Sequence, residues 1–285
     1  MSGAMTAMEA PTGIEAIAEA FARAHANGRS AALMPYLMGG YPDVATSRAI
    51  GLAYAEGGAD LVELGVPFSD PLADGPVIHA AATAALRAGA NLPAVLEVAR
   101  DIAAHVPVVV MCYANPILSQ GLDRFLDKLV GARVSGLIVP DLPLEEAVEV
   151  RPACRRRGLA LVPLVAPTTP AERLERIGAG ASGFLYTVLL TGTTGERAEV
   201  AGGLEAVIAR AAAHTDVPVA VGFGISTPEH AAAAAQAGAD GVIVGSRLVR
   251  AVAEASDPAA AARELVAGFS AALSRPAEPL DTALG

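Results

Sequence analysis

The chain has 285 residues, of which 53% are hydrophobic and 18% charged, with 29 glycines and a net charge of −10. That length fits one large α/β barrel or two ordinary domains, and the apolar share supplies a sizeable core with many tight turns. The acidic balance argues against nucleic acid, whose phosphates are met by clustered Lys and Arg, but not against a small phosphate held by backbone N–H groups.

Residues 1 to 12 are small and polar with Pro11, and they read as an N-terminal tail. Gly13 to Asn27 then reads as a helix ahead of the first strand, placed to cover the bottom of a barrel. From there short apolar or β-branched runs alternate with longer segments rich in Ala, Leu, Glu and Arg, as βα units on a parallel sheet do. The strands are Ala32 to Met38, Leu61 to Leu64, Val108 to Tyr113, Gly136 to Val139, Ala160 to Val165, Gly183 to Thr187, Val219 to Val221 and Gly241 to Val244, eight in all. Their near-continuous hydrophobicity suits strands covered on both faces. Helix starts such as Ser226-Thr227-Pro228-Glu229 and stops near Gly57-Gly58, Gly158 and Gly238 agree with the pattern. The fold expected is a single (βα)8 TIM barrel over residues 13 to 274, followed by a C-terminal tail from 275 to 285. An open doubly wound sheet stays possible, because strand order cannot be read from the sequence.

The chemistry concentrates after the second strand, in Leu61-Val62-Glu63-Leu64-Gly65-Val66-Pro67-Phe68-Ser69-Asp70-Pro71-Leu72-Ala73-Asp74-Gly75-Pro76. Glu63 falls inside an apolar strand, where desolvation disfavours its charge and raises its pKa into the range useful for proton transfer. The following loop carries three prolines and two aspartates, so it is polar yet restricted. It belongs to the C-terminal face, where barrels keep their active sites. Asp74 can fold back over the same mouth, while Ser69 and Asp70 are placed to support the loop's backbone. The plainer alternative has Glu63 paired with a buried donor and Asp74 shaping a turn.

Three glycine-rich segments follow the last three strands: Thr191-Gly192-Thr193-Thr194-Gly195, Gly222-Phe223-Gly224-Ile225-Ser226 and Gly245-Ser246-Arg247. Barrels bind phosphate between such loops and a helix N-terminus, so Gly224, Gly245 and Ser246 form a candidate phosphate site with Gly195 closing from above. The segment from Leu190 to Val200 lacks apolar periodicity and reads as a lid. Cys112 and Cys154 lie far apart without CxxC spacing and read as inert thiols; no metal or redox role is supported. The histidines, among them His79, His105, His214 and His230, show no paired spacing. Without a signal-type start or a membrane-length apolar run, a soluble cytoplasmic protein is expected.

The run from Glu63 to Gly75 resembles the signature of the tryptophan synthase alpha family. The likeness extends to Pro35-Tyr36 through Gly40-Tyr41-Pro42, to Met111-Cys112-Tyr113-Ala114-Asn115-Pro116 and to Val139-Pro140-Asp141-Leu142-Pro143. It implies a lyase that splits indole-3-glycerol phosphate into indole and glyceraldehyde 3-phosphate by a retro-aldol reaction. Under it Glu63 and Asp74 take the catalytic positions; Thr194, Gly195, Gly224, Gly245 and Ser246 bind substrate at its phosphate end; and Tyr36, Tyr113, Tyr186 and Phe223 line the indole cavity. It further implies an αββα complex in which indole passes to a beta subunit carrying pyridoxal phosphate, with no cofactor in this chain. Asp70 and Asn115-Pro116 would lie near that partner. Lys128, the only lysine, falls on a predicted helix and reads as exposed. The chain departs from the family at Leu189-Leu190, where a polar pair is usual, and at Met38, where Thr is common. Those swaps keep two alternatives in view: a stand-alone lyase that releases free indole, and a weakly catalytic partner that activates a pyridoxal phosphate subunit.

Overall fold

The computed structural model describes residues 11–188, 197–222 and 224–274. Its strands are β1 (Ala32–Met38), β2 (Val62–Gly65), β3 (Val108–Met111), β4 (Gly136–Ile138), β5 (Ala160–Val162), β6 (Leu164–Val165), β7 (Leu185–Val188), β8 (Val219–Gly222) and β9 (Gly241–Val244). They form one sheet in the order β5-β4-β3-β2-β1-β9-β8-β7-β6. Every pairing is parallel. β5 and β6 are the two halves of the fifth strand read from the sequence, parted by Pro163, which has no N–H to give to a ladder. One half pairs with β4 and the other with β7, so both edges of the sheet meet in this segment and the ring is nearly closed. That arrangement is a (βα)8 barrel and excludes the open sheet.

Strand periodicity sorts the core into two layers. Met34, Leu61, Val109, Ile138, Val162, Phe184, Tyr186 and Ile243 point into the barrel. Leu33, Leu37, Val62, Leu64, Val110 and Leu137 point outward against the helices. The floor is helix α1 (Gly13–Ala26), begun by a capping box between Thr12 and Glu15 and burying Ile17, Ala20, Phe21 and Ala24. Phe21 packs at 6.0 Å, tilted, on Phe184, which lies 6.3 Å from the ring of Tyr186, so the floor and Tyr186 belong to one packed column. Phe184 is fully buried; truncating such a ring to Ala costs about 3–5 kcal/mol. A clamp at the same end has Asp60 accept from the Leu33 N–H and from Arg29, each at 2.8 Å.

Helices α2 (Val44–Glu56), α3 (Pro76–Arg87), α4 (Leu92–Ile102), α5 (Ala114–Gln120), α6 (Leu122–Gly131), α7 (Val150–Arg156), α8 (Ala171–Gly178), α9 (Arg197–Ala212), α10 (Pro228–Gln236), α11 (Ser246–Glu254) and α12 (Pro258–Ala272) surround the ring. The cap of α10 is Thr227, which accepts from the His230 N–H as its motif suggests. Gly58, Gly158 and Gly238 follow helix ends with positive φ. Lys128 is half-buried on α6 rather than exposed, because its ammonium turns back to donate to the Gln120 side chain. Both cysteines are buried free thiols. Among the described residues no helix is long and apolar enough to cross a membrane.

Candidate active site

The inward and outward alternation places Glu63 one layer above Leu61, inside the barrel and directly across from Tyr36 on β1 and Val109 on β3. Glu63 is 2% exposed. Among the described residues its Oε2 has no hydrogen-bond partner. Burial, reinforced by the charge of Asp74, pushes its carboxyl up to about 8. A carboxylic acid in this setting is largely protonated at neutral pH and ready to give its proton away.

Asp74 arrives from the loop between β2 and α3. It precedes Gly75, the N-cap of α3, and Pro76, the first helical residue. The helix N-terminus favours a carboxylate beside it. Tyr113, which follows β3, donates its hydroxyl to Asp74 Oδ1 at 3.0 Å. The same hydroxyl accepts from the Ala73 N–H at 3.0 Å. Phe68 packs on the Tyr113 ring with centroids 5.4 Å apart. Partial burial raises the Asp74 carboxyl, opposed by the Tyr113 hydrogen bond and by His79. The loop is therefore held by Tyr113, whereas Ser69 donates to Asp70 and both stay exposed.

Tyr36 and Tyr186 complete the wall, at 4% and 5% exposure. Tyr36 and Glu63 are inward register partners and Tyr186 points into the same interior, which bounds one chamber at this end of the barrel. Burial holds the Tyr36 phenol well above its ordinary range, with added effects from Asp74, Glu63, Tyr113 and Tyr186. Each of the two buried phenols ends over a glycine on the neighbouring strand. A Cβ on Gly65 would overlap the Tyr36 hydroxyl, and one on Gly222 would overlap the Tyr186 hydroxyl. Neither glycine is marked by the sequence as a partner of a tyrosine; the available signal is a glycine closing a strand, where close approach is common.

Gly245 is the N-cap of α11, and Ser246, its first residue, is exposed. A Cβ on Gly245 would be 3.8 Å from Tyr36 Cβ, so the start of α11 adjoins the tyrosine wall. Gly224 has φ +82 and lies in the loop after β8. Thr194, Gly195, Phe223 and the Leu189-Leu190 pair lie outside the described residues. So does the expected lid up to residue 196, whereas Arg197 to Val200 belong to α9. Thr187 on β7 has a buried hydroxyl without a partner among the described residues, and it pairs in register with Val165 and Val221, which face away from the chamber. Among the described residues no group of His, Cys, Asp and Glu is suited to hold a metal.

Residues 21–274 match a family model described as tryptophan synthase alpha chain. The chain belongs to this family. It has the alpha subunit's role in tryptophan biosynthesis and is a lyase. The tryptophan synthase alpha chain of Prochlorococcus marinus is 48% identical over 242 residues, covering 84% of this chain and 88% of that one. The alpha chain of a Synechocystis species is 50% identical over 225 residues, covering 78% and 85%. A structure of Mycobacterium tuberculosis tryptophan synthase superposes with a TM-score of 0.83 at 39% identity, covering 91% of this chain and 98% of the other. A chain from the Pyrococcus furiosus tryptophan synthase α2β2 complex gives 0.79 at 37% identity, covering 85% and 98%.

Proposed function

We propose that Glu63 and Asp74 carry out the retro-aldol cleavage of indole-3-glycerol phosphate in this alpha chain, with the barrel of residues 13–274 as the catalytic unit between two tails. The observation that carries the reading is the buried carboxyl of Glu63, unpartnered at Oε2 among the described residues and within reach of the charge of Asp74. Protonated Glu63 delivers its proton to indole C3, which leaves positive charge on the ring nitrogen. Asp74, ionised and held by Tyr113, accepts the ring N–H and stabilises that charge. The Glu63 carboxylate then takes the proton of the hydroxyl on the adjoining glycerol carbon. As that O–H bond breaks a C=O forms, the carbon–carbon bond gives its electrons back to the ring, and neutral indole leaves with glyceraldehyde 3-phosphate. Glu63 ends protonated, as it began.

Tyr36, Tyr113, Tyr186 and Phe223 enclose the ring in this reading. Gly224, Gly245 and Ser246, with Thr194 and Gly195, hold the phosphate by backbone N–H groups and the α11 dipole, without a lysine. Indole passes to a beta subunit, to which the reading assigns the pyridoxal phosphate; no cofactor is assigned to this chain. Docking of that subunit is supported by the loop after β2, where Leu72 is 85% exposed near Asp70, and by the short helix α5 after β3, where Leu118 is 69% exposed on the same helix as the exposed Asn115. A cytoplasmic location goes with a phosphorylated substrate. The test is indole release by the purified chain, with and without a beta subunit, for wild type and Glu63→Gln. Turnover by wild type and its loss in the variant with substrate binding retained is expected; an active variant refutes the role of Glu63.

A further inference from the structure

We infer that Tyr36 is a positioning residue whose hydroxyl rests on the Met38 sulfur while Glu63 is protonated and turns to donate to the Glu63 carboxylate when that group loses its proton. The inference rests on the reading of Glu63 as the acid/base group. Among the described residues, two buried polar atoms in this chamber lack strong partners. Glu63 Oε2 has none. The Tyr36 hydroxyl has only the thioether of Met38, 4.0 Å away, a weak acceptor. Tyr36 and Glu63 are register partners on adjacent parallel strands, and both point inward. The absent side chain at Gly65, the next inward position of β2 above Glu63, gives the phenol its space, because a Cβ there would overlap the hydroxyl.

The surroundings leave Tyr36 as the donor best placed for this carboxylate. Asp74 is an acceptor when ionised and repels a charge on Glu63. The Tyr113 hydroxyl is already committed to Asp74. The Tyr186 phenol also feels the Glu63 charge, but it comes from β7, across the barrel, with its hydroxyl over Gly222, whereas Tyr36 stands on the strand next to Glu63; His79 of α3 acts on Asp74. A charge-assisted hydrogen bond stabilises the ionised form, so it eases the step in which Glu63 stands as a base.

The experiment compares wild type with Tyr36→Phe in two measurements: kcat/KM for indole release against pH, and titration of the Glu63 carboxyl by 13C NMR with labelled glutamate, assigned by its absence in Glu63→Gln. Loss of the donor should move the alkaline limb and the carboxyl titration together to higher pH by about one unit. kcat should fall about tenfold while KM stays near that of wild type. Gly65→Ala, which displaces the hydroxyl without removing it, should produce the same upward move and serves if Tyr36→Phe fails to fold. An unmoved or lowered titration in a folded variant overturns the inference and leaves Tyr36 as wall only. Full activity in Glu63→Gln instead sinks the acid/base reading, and the carboxyl titration by itself then decides the hydrogen bond.

Discussion

The Tyr113 hydroxyl holds two consecutive residues at the end of the loop after β2, accepting from the Ala73 N–H and donating to Asp74, each at 3.0 Å. A tyrosine delivered by β3 therefore fixes a carboxylate delivered by β2. Tyr113→Phe keeps the ring contact with Phe68 but removes both hydrogen bonds. The expected result is a roughly 10- to 100-fold loss in kcat/KM, because Asp74 no longer holds one position as charge develops on the ring. Global stability should change by only about 1 kcal/mol, since the loop lies at the barrel's rim. Steady-state kinetics paired with urea unfolding measures both; an equal loss of activity and of folding would contradict a local role.

Glu63 links the site to stability. The folded chain holds its proton up to about pH 8, whereas the ordinary value for an unfolded chain is 4.5. Between those limits the folded state binds more protons than the unfolded one, so the stability contributed falls as pH rises through this window. Glu63→Gln has no such proton to lose. The variant should therefore be more stable than wild type at pH 8, by on the order of 2–4 kcal/mol, with the gap closing towards pH 5. Unfolding midpoints of the two chains at several pH values provide the check, and a gap independent of pH would refute the burial of an ionisable group here.

Glu63 is legible in the sequence because strand periodicity alone puts it on the face of Leu61, whichever fold surrounds it. β1 and β9 likewise have the bounds expected from their apolar runs. The fifth strand reads as continuous although Pro163 sits in its middle; a proline's missing donor is a local fact, but its effect on pairing depends on which neighbours flank it. The tie between Tyr113 and Asp74 spans 39 residues of sequence and arises from two loops meeting over a closed ring, so no local pattern carries it. The same holds for Gly222 and Tyr186, which share a contact only because β7 and β8 are adjacent.

That contact predicts a compensating pair. In Gly222→Ala the new methyl would overlap the Tyr186 hydroxyl and must push the phenol into the chamber. Activity should fall at least about tenfold, mainly through KM, since the ring's space is what shrinks. Adding Tyr186→Phe removes the clashing oxygen and should restore part of the loss. A double variant no better than Gly222→Ala would show that the methyl acts through something other than Tyr186.

The phosphate end is open to a charge test. Ser246 begins α11 and is exposed, so a carboxylate placed there faces solvent and should leave folding intact. At that position it would also occupy the favourable end of the helix dipole and repel a bound phosphate. Ser246→Asp should raise KM for the phosphorylated substrate by more than about tenfold with a smaller change in kcat, and should weaken inhibition by inorganic phosphate to a similar degree. Salt screens a charge in this exposed setting, so the KM defect should shrink between low and high ionic strength. If KM and phosphate inhibition both stay at wild-type values, the phosphate is held elsewhere on the barrel.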